Sequence, residues 1–113
     1  EGGYRIKGKT EEEVERLLAD ARAVEQAGAW GILLELVRAS VARQITAAVR
    51  IPTIGIGSGP DCDGQVLVTP DLVGSFPWFT PKFVQPKAQV ASSIRDAVAG
   101  FVRDVKAREY PQV

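Results

Sequence analysis

Glu35 is the residue through which this sequence could do chemistry. It stands in Trp30-Gly31-Ile32-Leu33-Leu34-Glu35-Leu36-Val37, an otherwise apolar run that follows a glycine-stopped helix and reads as a buried strand. A carboxylate near the C-terminal end of such a strand needs a partner or a task. It could take a proton from an acidic carbon, or it could pair with a basic residue of a neighbouring loop, and the residue types alone leave both open. A second candidate is the glycine-rich stretch from Gly55 to Gly64, with Gly57, Ser58 and Gly59 as its site-lining residues. Bare backbone N–H groups at the end of a strand admit a ligand closely, though the same stretch reads equally as a tight irregular connection. It lacks the lysine-serine/threonine ending of a phosphate-binding loop, and no long helix follows it directly as a dinucleotide fingerprint requires. Asp61 and Asp63 have part of a calcium-loop spacing but not the closing glutamate of an EF-hand. There is no histidine, so the commonest general base and metal ligand is missing, and no metal site is expected within these residues.

The elements that must position these groups follow from periodicity and punctuation. Thr10–Ala27 reads as a helix: Thr10 and Glu13 form a capping box, Glu11, Glu12 and Glu13 suit the positive end of the helix dipole, and Val14, Leu17, Leu18, Ala21 and Val24 make one apolar stripe before Gly28. Trp30–Val37 is the strand carrying Glu35. Ala39–Val49 is a second helix, with Val41, Ile45 and Val49 on one face, Ser40 as a candidate cap and Pro52 blocking its continuation. Thr53–Gly57 is a second strand, apolar enough to expect burial on both faces. Gln65–Val68 is a third. Thr69–Lys87 reads as irregular, with four prolines and the aromatics Phe76, Trp78, Phe79 and Phe83, which serve either packing or the stacking of a flat ligand. Ala88–Arg108 is the last helix, with Val90, Ile94, Ala97, Val98, Phe101, Val102 and Val105 as its stripe. Residues 1–9 read as loop with a brief extended stretch at Tyr4–Ile6, where Tyr4 is a packing residue or lines a site.

Composition narrows the class. The 113 residues suffice for one small domain, and 45% hydrophobic residues fit a globular core. Fourteen basic residues balance 14 acidic ones, so there is no electrostatic argument for nucleic acid or an anionic membrane surface. No apolar run approaches the ~20 residues of a membrane-crossing helix, and no signal-like segment opens the chain. The single cysteine, Cys62, has no internal disulfide partner, which fits a reducing compartment. The absence of methionine and the start at Glu1-Gly2-Gly3 are expected of a chain processed, cut or excerpted from something longer.

Alternating helices and strands make parallel β/α units. The expected fold is therefore α/β: about three β/α units forming a single partial domain, residues 1–113, a little under half of a (β/α)8 barrel, which the resemblance given below implies is its C-terminal part. A whole barrel needs roughly 250 residues. Active sites of such barrels lie at the C-terminal ends of the strands, where Glu35, the Gly57–Gly64 loop and the segment after Val68 are expected to converge.

Several stretches resemble ketopantoate hydroxymethyltransferases: Gly2-Gly3-Tyr4-Arg5-Ile6-Lys7-Gly8-Lys9-Thr10, Leu33-Leu34-Glu35-Leu36-Val37, the long run Ile51–Val68, Asp71-Leu72-Val73-Gly74 and Pro81-Lys82-Phe83. The resemblance covers essentially the whole chain, aligned to the C-terminal portion of that family. It implies a barrel of the phosphoenolpyruvate/pyruvate-binding kind. It also implies transfer of a hydroxymethyl group from 5,10-methylenetetrahydrofolate to the small-molecule 2-oxo acid 3-methyl-2-oxobutanoate, giving 2-dehydropantoate for pantothenate synthesis. By the same resemblance the protein is cytoplasmic, Mg2+-dependent and a homo-oligomer, usually a decamer, and Glu35 matches the family's catalytic base. A partly desolvated glutamate beside the substrate carbon is a stronger base than one in water. The family's metal-binding aspartates, its substrate-binding serine and lysine, and its histidine match no residue of this chain. Three positions depart from the family pattern: Arg38 replaces a usual proline, Ser40 an acidic residue and Pro70 a frequent histidine. The alternative reading is a catalytically inactive half-barrel or assembly module that needs a separate N-terminal half.

Overall fold

The computed structural model describes residues 4–113, so Gly2 and Gly3 of the resemblance lie outside the described residues. The sequence reads as one partial domain; the chain divides into two compact units, Glu1–Val66 and Leu67–Val113.

The first unit opens with α1 (Glu11–Gln26). Thr10 caps it, its hydroxyl accepting from the Glu13 N–H at 3.2 Å. Glu13 reaches further back than a capping box requires, accepting from the N–H groups of Gly8 at 3.0 Å and Lys9 at 2.8 Å. These charge-assisted bonds, from Lys9 above all, lower the pKa of the Glu13 carboxyl. They also pin the segment before the helix. Gly28, left-handed at φ 96°, stops α1 as expected.

Strand β1 covers Ile32–Glu35, shorter than the Trp30–Val37 run. Trp30 lies outside it, exposed at the surface. The strand ends because Leu36 turns left-handed, φ 53°, a conformation uncommon for a bulky side chain. Backbone bonds on both sides hold it there: its N–H donates to Ile56 at 2.9 Å, and its carbonyl accepts from Lys7 at 2.7 Å. Beyond the kink Val37 bridges Lys7 in parallel. The extended stretch expected at Tyr4–Ile6 is thus replaced by one bridge at Lys7.

Helix α2 spans Ala39–Ala48 and has no side-chain cap, so Ser40 does not fill the expected role. Strand β2 (Thr53–Ile56) and a two-residue β3 (Gly64–Gln65) complete a parallel sheet in the order β1-β2-β3. The register pairs Ile32 with Thr53, Leu33 with Ile54, Leu34 with Gly55 and Glu35 with Ile56. β3 stops two residues after it starts, where Gln65–Val68 was expected to be strand.

Alternation sorts the sheet into two faces. Leu34, Thr53 and Gly55 are buried, Leu34 in a core with Ala21, Val41, Ala42 and Ile45 from the two helices and Val49 just after α2. On the opposite face Leu33 is exposed and Ile54 and Ile56 are only half-buried. β2 was expected to be buried on both faces. It is buried on one, because the helix residues that form the core lie against a single face.

In the second unit, α3 (Thr69–Val73) occupies part of the stretch that reads as irregular. Pro70 sits in its first turn, where the missing N–H is harmless, and Gly74 closes it at φ 67°. Bonds from Lys87 to Leu72 (2.7 Å) and from Ala91 to Gly74 (3.0 Å) bring residues 75–89 back onto α3. Phe76 and Trp78 pack edge to face there, ring centres 5.0 Å apart. The last helix, α4, runs Val90–Lys106, two residues shorter at each end than expected. Ile94, Val98, Phe101, Val102 and Val105 of its apolar stripe are exposed.

Candidate active site

Glu35 is the last residue of β1. It shares its face with Leu33, away from the helix-covered core, and the register sets it beside Ile56. Its side chain is exposed rather than partly desolvated as expected, because that face carries no second layer in this unit. Among the described residues no ion pair joins it to a base, so the pairing that residue types left open is not made. At the edge of β1 it also lines, with Lys7 and with Leu17, Ala21 and Val24 of α1, a cavity of about 270 Å³.

The kink after Glu35 is held from across the sheet. Ser58 is 1% exposed; its hydroxyl accepts from the Val37 N–H at 3.0 Å and donates to the Leu34 carbonyl at 2.8 Å. Both partners flank Glu35 and Leu36. Ser58 therefore faces the protein, whereas Gly57 and Gly59 line a separate cavity of about 510 Å³ with Ile6, Lys9, Arg38 and Ala39. Gly59 has φ 82°, and a Cβ there would lie 2.5 Å from the Ala39 Cβ. Only glycine lets the loop after β2 pass this close to the start of α2.

The two aspartates of the loop have structural partners. Asp61 pairs with Arg43 at 3.0 Å. Asp63 accepts from the Thr53 N–H at 2.9 Å, and Thr53 in turn bonds Thr46 at 2.8 Å, with Thr53 fully buried. This network closes the seven-residue link between β2 and β3 without a crossover helix. Cys62 is a free thiol packed against Gly55. Among the described residues no group of three or more His, Cys, Asp or Glu side chains could hold a metal ion.

Sequence reasoning misses three of these features. The Leu36 kink has no signal, since leucine is a poor residue for φ > 0. The Ser58 clamp could have been suspected, because a serine between two glycines at a strand end can turn inward. The Lys7 bridge has no local pattern to show it.

The family model described as ketopantoate hydroxymethyltransferase matches residues 1–113. The chain belongs to the ketopantoate hydroxymethyltransferase family. Among its relatives, the 3-methyl-2-oxobutanoate hydroxymethyltransferase of Sulfurimonas denitrificans is 51% identical over 112 residues, 99% of this chain and 43% of the relative. That of Rhizobium rhizogenes is 50% identical over 110 residues, 97% of this chain and 40% of the relative. That of Geobacter sulfurreducens is 48% identical over 110 residues, covering 97% and 41% respectively. The chain thus spans about two-fifths of the length of these relatives. Within the family frame, the Glu35 kink and the Gly57–Gly59 loop lie at the C-terminal ends of adjacent parallel strands.

Proposed function

We propose that this chain is the part of a 3-methyl-2-oxobutanoate hydroxymethyltransferase that carries the general base, and that Glu35 is that base. The observation that supports it most is the position of Glu35: an unpaired carboxylate at the C-terminal end of a parallel strand, in a chain of this family. In the proposed reaction the Glu35 carboxylate takes the proton from carbon 3 of the 2-oxo acid, next to its carbonyl. The resulting enolate carbon bonds the methylene carbon that 5,10-methylenetetrahydrofolate supplies. The two C–N bonds that held that carbon to the folate break, water provides the hydroxyl oxygen, the carbon-3 proton and one proton of the water end on the two nitrogens, and 2-dehydropantoate and tetrahydrofolate leave. Ser58 acts as a positioning residue, holding the backbone on either side of Glu35 and Leu36.

The described residues do not fit the Mg2+ that the resemblance implies, and no step is assigned to it. The proposal assigns Mg2+, the remaining substrate contacts and closure of a (β/α)8 barrel to the further length that the relatives have. Homo-oligomeric assembly and a cytoplasmic location belong to the same reading. No helix among the described residues is long and apolar enough to cross a membrane.

The test separates proton abstraction from transfer. The protein expressed from its whole reading frame, in D2O without folate, is expected to exchange the carbon-3 hydrogen of 3-methyl-2-oxobutanoate, followed by proton NMR. Glu35→Gln is expected to slow both exchange and transfer by about 100-fold or more, the usual range for a general base, with the circular dichroism spectrum kept. Exchange at the parent rate in Glu35→Gln would remove Glu35 from the mechanism. The 113 residues alone are expected to show no turnover.

A further inference from the structure

A second cavity, lined by Lys9, Arg38, Gly57 and Gly59, does not have Glu35 among its lining residues. Its volume of about 510 Å³ is several times what one carboxylate needs. Its two charged lining residues are both cationic and exposed, and among the described residues neither makes an ion pair. The Lys7–Val37 bridge brings their segments together, with the Arg38 N–H donating to the Lys7 carbonyl at 2.8 Å. The backbone here is fixed by independent contacts: Glu13 holds the Gly8 and Lys9 N–H groups, and Gly59 packs on Ala39. The ten-residue α2 begins at the cavity without a side-chain cap, adding its positive end to the field.

We infer that Lys9 and Arg38 form a carboxylate-binding subsite that takes the glutamyl tail of the reduced folate. The inference rests on the function proposed above. The 2-oxo acid is the less suitable occupant. It brings one carboxylate to two cations. The glutamyl tail stands far from the methylene carbon and carries two carboxylates, matching two cations. Arg38 offers the planar fork that binds a carboxylate bidentately, and Lys9 a point charge.

The test uses the protein from its whole reading frame with two carriers, 5,10-methylenetetrahydrofolate and its pteroate analogue lacking glutamate. Arg38→Ala and Lys9→Ala are each expected to raise KM for the folate about 10-fold, the size of a lost charge-assisted bond to carboxylate. The pteroate is expected to have a raised KM in the parent and no further rise in either variant. Arg38→Lys is expected to recover part of the loss. A folate KM within two-fold of the parent in both variants overturns the inference, as does an equal rise for the pteroate or a rise confined to the 2-oxo acid. Tetrahydrofolate binding, followed by tryptophan fluorescence, keeps the two readings apart. A parent without turnover whose tetrahydrofolate affinity still falls about 10-fold in Arg38→Ala retains the subsite and loses the proposed reaction. Equal affinity in parent and variant overturns the subsite.

Discussion

Removing the Ser58 hydroxyl tests whether this residue serves the fold or the ligand. Ser58→Ala deletes one oxygen and adds no volume, so nothing clashes. In the parent that oxygen accepts from Val37 N–H at 3.0 Å and donates to Leu34 carbonyl at 2.8 Å, in a site only 1% exposed. Without it the Val37 N–H is left buried and unpaired, because the bridge to Lys7 uses the neighbouring Leu36 carbonyl and Arg38 N–H instead. An unsatisfied buried donor costs about 1–3 kcal/mol. The carbonyl, which can hold a second partner, adds less, so the expected loss is about 2–3 kcal/mol. Leu36 makes the site more sensitive, since a left-handed leucine persists only while its surroundings hold it. Equilibrium urea unfolding followed by tryptophan fluorescence reads the change as a midpoint lower by about 1 M, for a slope of ~2 kcal/mol/M. Turnover is expected to fall through kcat, since Glu35 loses its alignment. A midpoint within 0.2 M of the parent, with a raised KM instead, would refute the clamp and make Ser58 a ligand contact.

Three other substitutions bear on the same region. Gly59→Ala sets a Cβ 2.5 Å from that of Ala39 at φ 82°, so it is expected to destabilise by about 2 kcal/mol or more, read by the same urea titration. Arg38→Pro is expected to leave stability within about 1 kcal/mol: φ is already −53°, and the lost bond to the Lys7 carbonyl is offset by a stiffer unfolded chain, so a large midpoint shift would contradict this balance. For Glu13 the folded carboxyl has its pKa lowered from its ordinary 4.5, so its contribution is fully present above that pH and is lost as pH falls through the depressed value. Glu13→Gln is therefore expected to flatten the acid side of the stability–pH curve below about 4.5, measured by thermal unfolding; an unchanged slope there would remove Glu13 from the acid response.

Local grammar carried much of the fold. Thr10, Glu13 and Gly28 mark α1 almost to the residue, because capping and the left-handed stop are decided within a few positions. Parallel pairing followed from helix-strand alternation, and the structure has it. Strand length was less legible. Apolar runs at Trp30–Val37 and Gln65–Val68 suggested more strand than the four and two residues that form, since hydrophobicity reports burial and not backbone direction. Leu36 ends β1 through long-range bonds to Ile56 and Lys7, and no leucine announces a left-handed turn. Pro70, one of four prolines in a stretch that reads as irregular, stands in the first turn of a short helix, because proline suits a first turn as well as a loop. The resemblance located Glu35, but residue types could not say that Ser58 turns inward while its glycine neighbours line a cavity.

The separation of partnered from unpartnered polar groups sharpens the functional reading. No buried side-chain nitrogen or oxygen among the described residues lacks a hydrogen bond. Thr53, Asp63, Ser58 and Thr46 are committed to one another or to the backbone, and Asp61 to Arg43. Drawing these groups to a substrate would loosen bonds that close the β2–β3 link or the Leu36 kink. Glu35, Lys9 and Arg38 differ. They are charged, exposed and free of ion pairs among the described residues, Glu35 at the end of β1 and Lys9 and Arg38 beside the Lys7–Val37 bridge. An exposed charge without a partner is ordinary on a surface. Here the backbone on either side of each is held in place: Leu34 and Val37 by Ser58, Lys9 by Glu13, Arg38 by Lys7. Rigid backbone under an uncommitted side chain is what positioning a reacting carbon or a carboxylate demands. It also makes the chemistry divisible, so Glu35 variants should change proton exchange while Lys9 and Arg38 variants change carrier affinity. A Glu35 variant that altered carrier KM as strongly as exchange would show that the two cavities do not act separately.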